Sequence, residues 1–238
     1  MSTDLLLDAS GLRKVYGGVT AVSGLDLQVR ANEVVGIIGP NGSGKTTLFN
    51  ILSGFIKPNS GAVTWLGHDI SRAPAHRRSQ LGLVRTFQQA MTFDDLTVRG
   101  NVEMAVLVGL HSSGPDLEVD DLLRYVALEH VADNLAGSLS WGQSRLLGIA
   151  LAMAVKPRLL MLDEPFAGLS LVAAEDLAKI VRRLAADGYA LCIIDHEMGH
   201  LLPLCTRLVV LVNGAVLADG APADVIEDPA VQAAYLGM

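Results

Sequence analysis

Eight residues constrain this chain more than any others: Gly39-Pro40-Asn41-Gly42-Ser43-Gly44-Lys45-Thr46. They satisfy the pattern G-x-x-x-x-G-K-[ST] at every fixed position. Glycines let the backbone curl so that successive N–H groups face an anion. The helix that must follow offers its free N-terminal amides to the same anion. Lys45 adds a full charge for β- and γ-phosphates, and the Thr46 hydroxyl suits Mg²⁺. Such a loop needs a strand before it and a helix after it. Val34-Val35-Gly36-Ile37-Ile38 is a short apolar run that predicts a buried parallel strand. Leu48, Phe49, Ile51 and Leu52 recur at helical spacing, and Gly54 stops the helix before Pro58. A chance glycine-rich turn would lack both flanks.

Three further apolar runs end in polar residues. Leu81-Gly82-Leu83-Val84 predicts a strand ending near Gln88. Leu159-Leu160-Met161-Leu162 leads straight into Asp163-Glu164-Pro165, and Ala190 to Ile194 into Asp195-His196-Glu197. Open parallel sheets bind ligands beyond the carboxyl ends of their strands, so this pattern collects Gln88, Asp163, Glu164 and His196 around the phosphate loop. Asp163 suits a metal held through water, as the second-strand acid does in phosphate-loop ATPases. Glu164 points elsewhere and suits the attacking water. His196 suits a hydrogen bond to the γ-phosphate.

The rest of the chain predicts what surrounds this core. Leu5 to Arg30 alternate, with Gly11, Gly17-Gly18 and Gly24 as turns, and read as antiparallel strands. Gly61 to Ile70 reads as another hairpin, and Ser71 to Gln80 as a solvated helix. Residues 94–155 read as helical. Ser112-Ser113-Gly114-Pro115 is a loop there, and Val119, Leu122, Leu123 and Val126 form an amphipathic stripe. Leu177, Ile180, Val181 and Leu184 share a helix face, Leu208 to Leu217 a terminal hairpin, and the C-terminus is helical. The expected fold is α/β: a phosphate-loop (RecA-like) core with a mostly parallel sheet, an N-terminal antiparallel β part and an α-helical insert at about 90–155, in one domain spanning 1–238.

Composition fits this and excludes other classes. Half of the 238 residues are hydrophobic and 18% are charged, enough for a sizeable core. A net charge of −7 argues against a nucleic-acid partner. Two cysteines, Cys192 and Cys205, make neither a disulfide framework nor a metal site. The N-terminus has no secretory pattern, and no apolar stretch approaches the roughly 18–20 residues of a membrane span. Leu146 to Val155 stops at Lys156, and Leu208 to Ala218 is broken by Asn213-Gly214. These features predict a soluble intracellular chain.

Leu139-Ser140-Trp141-Gly142-Gln143 resembles the LSGGQ signature of ATP-binding cassette (ABC) proteins, at a typical spacing of 20 residues before Asp163. The resemblance covers the chain in order. Tyr16 matches the aromatic adenine-stacking position, Gly39 to Thr46 with Thr47 the first nucleotide motif, and Gln88 the glutamine loop. Leu159 to Glu164 matches the second motif with its glutamate, and His196 the switch histidine.

This resemblance implies an ATPase using ATP and Mg²⁺. Glu164, His196 and Gln88 would be catalytic, and Thr46, Gln88 and Asp163 would face the metal. Ser140, Gly142 and Gln143, at a helix start, would meet the γ-phosphate held by a second cassette, identical or paralogous. It implies separate transmembrane permease subunits, an extracytoplasmic solute-binding protein acting indirectly, and a peripheral location at the cytoplasmic face of the inner membrane. The groove after Gln88, with Ala90, Met91, Thr92 and Phe93, would dock a permease helix.

Within the family, Val84-Arg85-Thr86-Phe87-Gln88, Leu96-Thr97-Val98 with Asn101-Val102, Ala167-Gly168-Leu169 and Tyr235-Leu236-Gly237 resemble uptake systems for branched-chain amino acids, amides or urea. Lipopolysaccharide exporters share some of these features. Trp141, Leu146, Leu151 and Ser170 depart from the usual pattern without removing a catalytic group. Chromosome and repair members carry a long coiled coil between the first motif and the signature. Here only 95 residues without sustained heptads separate Lys45 from Ser140. Ribosome-linked members usually hold two cassettes in one chain, and a phosphate-loop kinase would lack the signature.

Overall fold

The structure, a computed structural model, describes residues 4–86, 91–109 and 118–236. Gln88, Ala90, the Ser112-to-Pro115 stretch and Gly237 lie outside the described residues.

Alternating residues at the N-terminus build a long hairpin, β1 (Leu5–Tyr16) and β2 (Val19–Arg30), closed by Gly17-Gly18 at φ of 50° and 93°. A second hairpin, β4 (Ser60–Trp65) and β5 (His68–Asp69), completes an antiparallel sheet in the order β2-β1-β4-β5. The six-stranded sheet contains β3 (Val34–Ile38), β6 (Leu83–Arg85), β7 (Leu159–Asp163), β8 (Ala190–Ile194), β9 (Arg207–Val212) and β10 (Ala215–Gly220), in the order β10-β9-β3-β8-β7-β6. Its pairings are parallel except β10 on β9, which returns through Asn213-Gly214. Both turn residues have positive φ, which Asn-Gly hairpins require.

Because strand side chains alternate, the near-continuous apolar runs feed two cores. Val35, Ile37, Leu159, Met161, Cys192, Ile194, Val209 and Leu211 face the antiparallel sheet and the phosphate-loop helix α1 (Lys45–Leu52). Val34, Ile38, Leu160, Leu162, Leu191, Ile193, Leu208 and Val210 face the helices α3 (Val98–Gly109), α4 (Val119–Tyr125), α5 (Trp141–Ala154) and α6 (Leu171–Ala186). Leu122, Leu123 and Val126 are buried there, as their spacing predicts. The C-terminal part carries α7 (Met198–Leu201), α8 (Pro222–Glu227) and α9 (Pro229–Leu236).

Three local expectations are corrected. The stretch from Ser71 to Gln80 is helical only in α2 (Ala75–Gln80), and its Arg78 is buried. Arg78 donates to the carbonyls of Ile51 and Leu52, at 2.9 and 2.7 Å, and to those of Ile70, Ser71 and Ala73. Carbonyls at a helix end need partners, so the arginine is drawn inward to close α1. The strand expected from Leu81 starts at Leu83, because Gly82 at φ 91° turns the chain first. The helical region starts at Val98 rather than at 94, after Asn101 has bonded both backbone groups of Phe93.

Candidate functional site

The phosphate loop leaves the carboxyl end of β3. β8 lies between β3 and β7, so Asp195-His196 and Asp163-Glu164 emerge on the same edge of the sheet. Gly39, Gly42 and Gly44 have φ of 156°, 79° and 103°. Side chains are excluded from the cradle: a Cβ on Gly39 would strike the Leu211 carbonyl, and one on Gly44 the Ala21 carbonyl. No side chain caps α1, whose first turn carries no acidic residue. The Ser43 hydroxyl is buried with no hydrogen-bond partner among the described residues. Lys45 Nζ donates to the loop's own carbonyls, Gly39 at 2.6 Å and Pro40 at 3.0 Å. Burial lowers its pKa, and Glu164 opposes that shift. A half-buried ammonium, uncapped amides and an orphaned hydroxyl make an anion cradle.

Asp163 pairs with Arg85 at 2.7 Å. Glu164 adopts φ of 46°, a left-handed conformation uncommon outside glycine, and its N–H bonds the Ile194 carbonyl at 2.8 Å. The site thus fixes Glu164 from the neighbouring strand. The His196 side chain is 60% exposed, and its ring nitrogens stand 3.8 Å from Asp195 Oδ1 and 3.6 Å from Glu197 Oε1. Tyr16 stands at the Gly17-Gly18 end of its hairpin with an exposed ring, and Lys14 Nζ lies 5.1 Å from the ring centroid.

Ser140 begins α5 in a reciprocal capping box: its hydroxyl accepts the Gln143 N–H, and its own N–H bonds Gln143 Oε1 at 3.0 Å. Among the described residues, no hydrogen bond joins these groups to the phosphate loop. Gly142 has a steric role within the chain, since a Cβ there would lie 2.9 Å from Ala173 Cβ in α6. Trp141 Nε1 and Arg145 Nη2 both reach the Ala167 carbonyl at 3.5 Å, and the guanidinium lies 5.0 Å from the indole. Burial lowers the Arg145 pKa, opposed by Asp195, Glu164 and Asp163.

Sequence reasoning missed Asp195, Arg85 and Arg145. Asp195 is fully buried and accepts three backbone N–H groups. Its available signal was a carboxylate directly after a buried strand. Met91 and Phe93, expected at the permease contact, are 77% and 61% exposed. A separate cleft of about 510 Å³ lies at the amino ends of β7 and β8, lined by Leu6, Leu122, Tyr125, Met153, Arg158 and Tyr189. No residue of the phosphate loop or signature lines it. No helix among the described residues is long and apolar enough to cross a membrane.

Comparisons with known proteins agree with the geometry. The ABC transporter family model matches residues 22–167, and a branched-chain amino acid ATP-binding cassette transporter model matches residues 215–237. The high-affinity branched-chain amino acid transport ATP-binding protein BraF of Pseudomonas aeruginosa is 38% identical, with 98% of each chain covered. The lipopolysaccharide export system ATP-binding protein LptB of Haemophilus influenzae is 37% identical over 98% of this chain and 97% of its own. A nucleotide-free ATP-binding cassette from an ABC transporter superimposes with TM-score 0.87 at 31% identity, covering 98% of this chain and all of its own. The ADP conformation of such a cassette gives 0.86 at 32% identity, covering 98% of this chain and 99% of its own. The chain therefore belongs to the ABC transporter family, as an ATP-binding cassette that hydrolyses ATP.

Proposed function

We propose that this cassette powers an importer of branched-chain amino acids or related small amides. The observation that carries the substrate class is the branched-chain match over residues 215–237, and the likeness to BraF supports it. The whole chain, 1–238, acts as one nucleotide-binding domain whose helical subdomain is about 90–155. The loop from Gly39 to Thr46, with Thr47, holds the phosphates, and Tyr16 stacks on adenine. Glu164 takes the proton of the attacking water. His196 contacts the γ-phosphate. Ser140, Gly142 and Gln143 recognise the γ-phosphate held by a second cassette, identical or paralogous, so that ATP joins the two head to tail.

The donor set suits Mg²⁺. Thr46, Asp163 and Gln88 can each present an oxygen, as hydroxyl, carboxylate and amide carbonyl, and among the described residues no group of three His, Cys, Asp or Glu forms a protein cage. Mg²⁺ is ordinarily held by one or two protein oxygens plus phosphates and water. When bound it neutralises charge on the phosphate oxygens. Exposed Met91 and Phe93, beside Thr92, form the docking surface for a permease helix at the cytoplasmic face of the membrane. An extracytoplasmic solute-binding protein delivers substrate to that permease.

The likeness to LptB favours a second reading, lipopolysaccharide export. Co-purification with the products of neighbouring genes, then ATPase assays in proteoliposomes, separates the two. Several-fold stimulation by a binding protein loaded with leucine supports import. Stimulation by lipopolysaccharide, with no response to amino acids, replaces that reading with export.

A further inference from the structure

Arg85 ends β6 and reaches across to β7. Its Nη2 bonds Asp163 Oδ2 at 2.7 Å, while Nη1 bonds Asn50 Oδ1 at 2.7 Å and Ser53 Oγ at 3.1 Å. Asn50 lies in α1 and Ser53 caps its C-terminus. The guanidinium also lies 5.6 Å from the Phe49 ring centroid and 5.8 Å from that of Phe55. Both ionic partners are sequestered, with side chains only 6% and 13% exposed. One planar fork thus ties together three pieces: the strand leading to residues 87–90, the helix that Lys45 begins, and the acid that ends β7. A lysine could not span all three sets of acceptors at once.

We propose that Arg85 is a positioning residue for Asp163 whose charge sets how strongly the site favours metal-loaded over metal-free ATP. This rests on the reading of Asp163 as a metal-facing acid. The bond commits Oδ2 and anchors the carboxylate to the braced guanidinium. Its positive charge offsets the carboxylate's field, which otherwise repels bare phosphates and attracts a divalent cation. Removing that charge leaves Asp163 buried and uncompensated. Metal-free nucleotide then binds more weakly and metal-loaded nucleotide relatively better.

The test is the affinity of the full chain for a non-hydrolysable ATP analogue in excess Mg²⁺ and in excess EDTA, by calorimetry. Arg85→Gln should raise the ratio of the two affinities on the order of tenfold, the effect of removing one nearby charge. Arg85→Lys should keep the wild-type ratio yet lower kcat several-fold, because charge survives and geometry does not. In an Asp163→Asn background, Arg85→Gln should move the ratio less than it does in the parent, because the carboxylate that Arg85 positions is gone. A ratio unmoved by Arg85→Gln, whatever the melting temperature, reduces Arg85 to a brace and overturns the proposal. If the glutamine variant does not fold, a tenfold change of ratio in Arg85→Lys overturns it instead. An Asp163→Asn chain that keeps the full Mg²⁺ preference overturns the metal-facing reading of Asp163, a distinct failure.

Discussion

Asp195 Oδ2 accepts the backbone N–H of Phe166 at 2.9 Å, and its Oδ1 accepts those of His196 and Glu197 at 2.7 and 2.9 Å. One buried carboxylate therefore ties the turn carrying Glu164 to the turn carrying His196. Asp195→Ala would leave three amides without their acceptor, that of Phe166 fully buried and those of His196 and Glu197 partly so. We expect a loss of about 3 kcal/mol in urea unfolding, at the upper end for unsatisfied buried groups. Turnover should fall at temperatures where the variant is still folded, because both candidate catalytic turns lose their common anchor. Asp195→Asn retains one acceptor oxygen and should be milder on both counts. Equal stability of Asp195→Ala and the parent would contradict the assignment.

Glu164→Gln removes charge with little change of shape. We expect hydrolysis to drop by at least about 10²-fold, the usual worth of a general base, with ATP binding retained. The ATP-joined pair should accumulate, giving a dimer in ATP and a monomer in ADP by light scattering. Adding Ser140→Arg should return the monomer by obstructing the capped start of α5. A purified transporter carrying Glu164→Gln and turning over at the parent rate would remove Glu164 from the chemistry.

Arg78 is the buried group on which α1 closes. Arg78→Met keeps most of the apolar volume and takes a donor from five carbonyls, of which those of Ile51 and Ile70 keep a backbone N–H. The expected cost is about 3–5 kcal/mol, as for breaking a buried charged network. Loss of under about 1 kcal/mol in denaturant unfolding would show that water replaces the guanidinium freely.

Burial pushes the Cys205 thiol up to about 12, and Cys192, fully buried, higher still. Both folded pKa values exceed the unfolded value, so the native chain holds these protons longer. That contribution to stability is complete below about pH 9 and is lost as pH rises toward 12. At pH 8 the native protein should resist iodoacetamide at both cysteines, and the urea-unfolded protein should be alkylated at both, as read by intact mass. Rapid native alkylation at Cys205 would mean that its strand-end loop opens.

Much of this was legible because the informative residues act locally. The phosphate loop, the buried strands and the Asn213-Gly214 turn each follow from neighbours in sequence. So does Asp163-Glu164, which merely ends a strand. Arg78 and Arg85 were opaque for the opposite reason. Arg78 stands in a polar stretch that reads as solvated, and Arg85 reads only as part of the stretch from Val84 to Gln88 that resembles the uptake systems. The tertiary fold alone reveals carbonyls and a carboxylate within their reach. Gly142 was legible as a motif position, but its closeness to Ala173 required the packing of α5 on α6. Asp195 was passed over because its partners are backbone amides, which every sequence possesses.

The alternation of the central strands divides mutational consequences between neighbours. Ile37 and Ile38 differ by one position, as do Met161 and Leu162, yet each pair straddles the sheet. A volume error at Ile37 or Met161 presses on the layer that holds α1 and the antiparallel hairpins, beneath the phosphate loop. The same error at Ile38 or Leu162 presses on the helical layer, which carries the signature and the exposed surface near Phe93. The sheet is thus a partition wall between a chemical compartment and a mechanical one. On the proposed reading, parity along a strand, more than distance along the chain, decides whether a conservative change weakens the hold on ATP or the transmission of its hydrolysis.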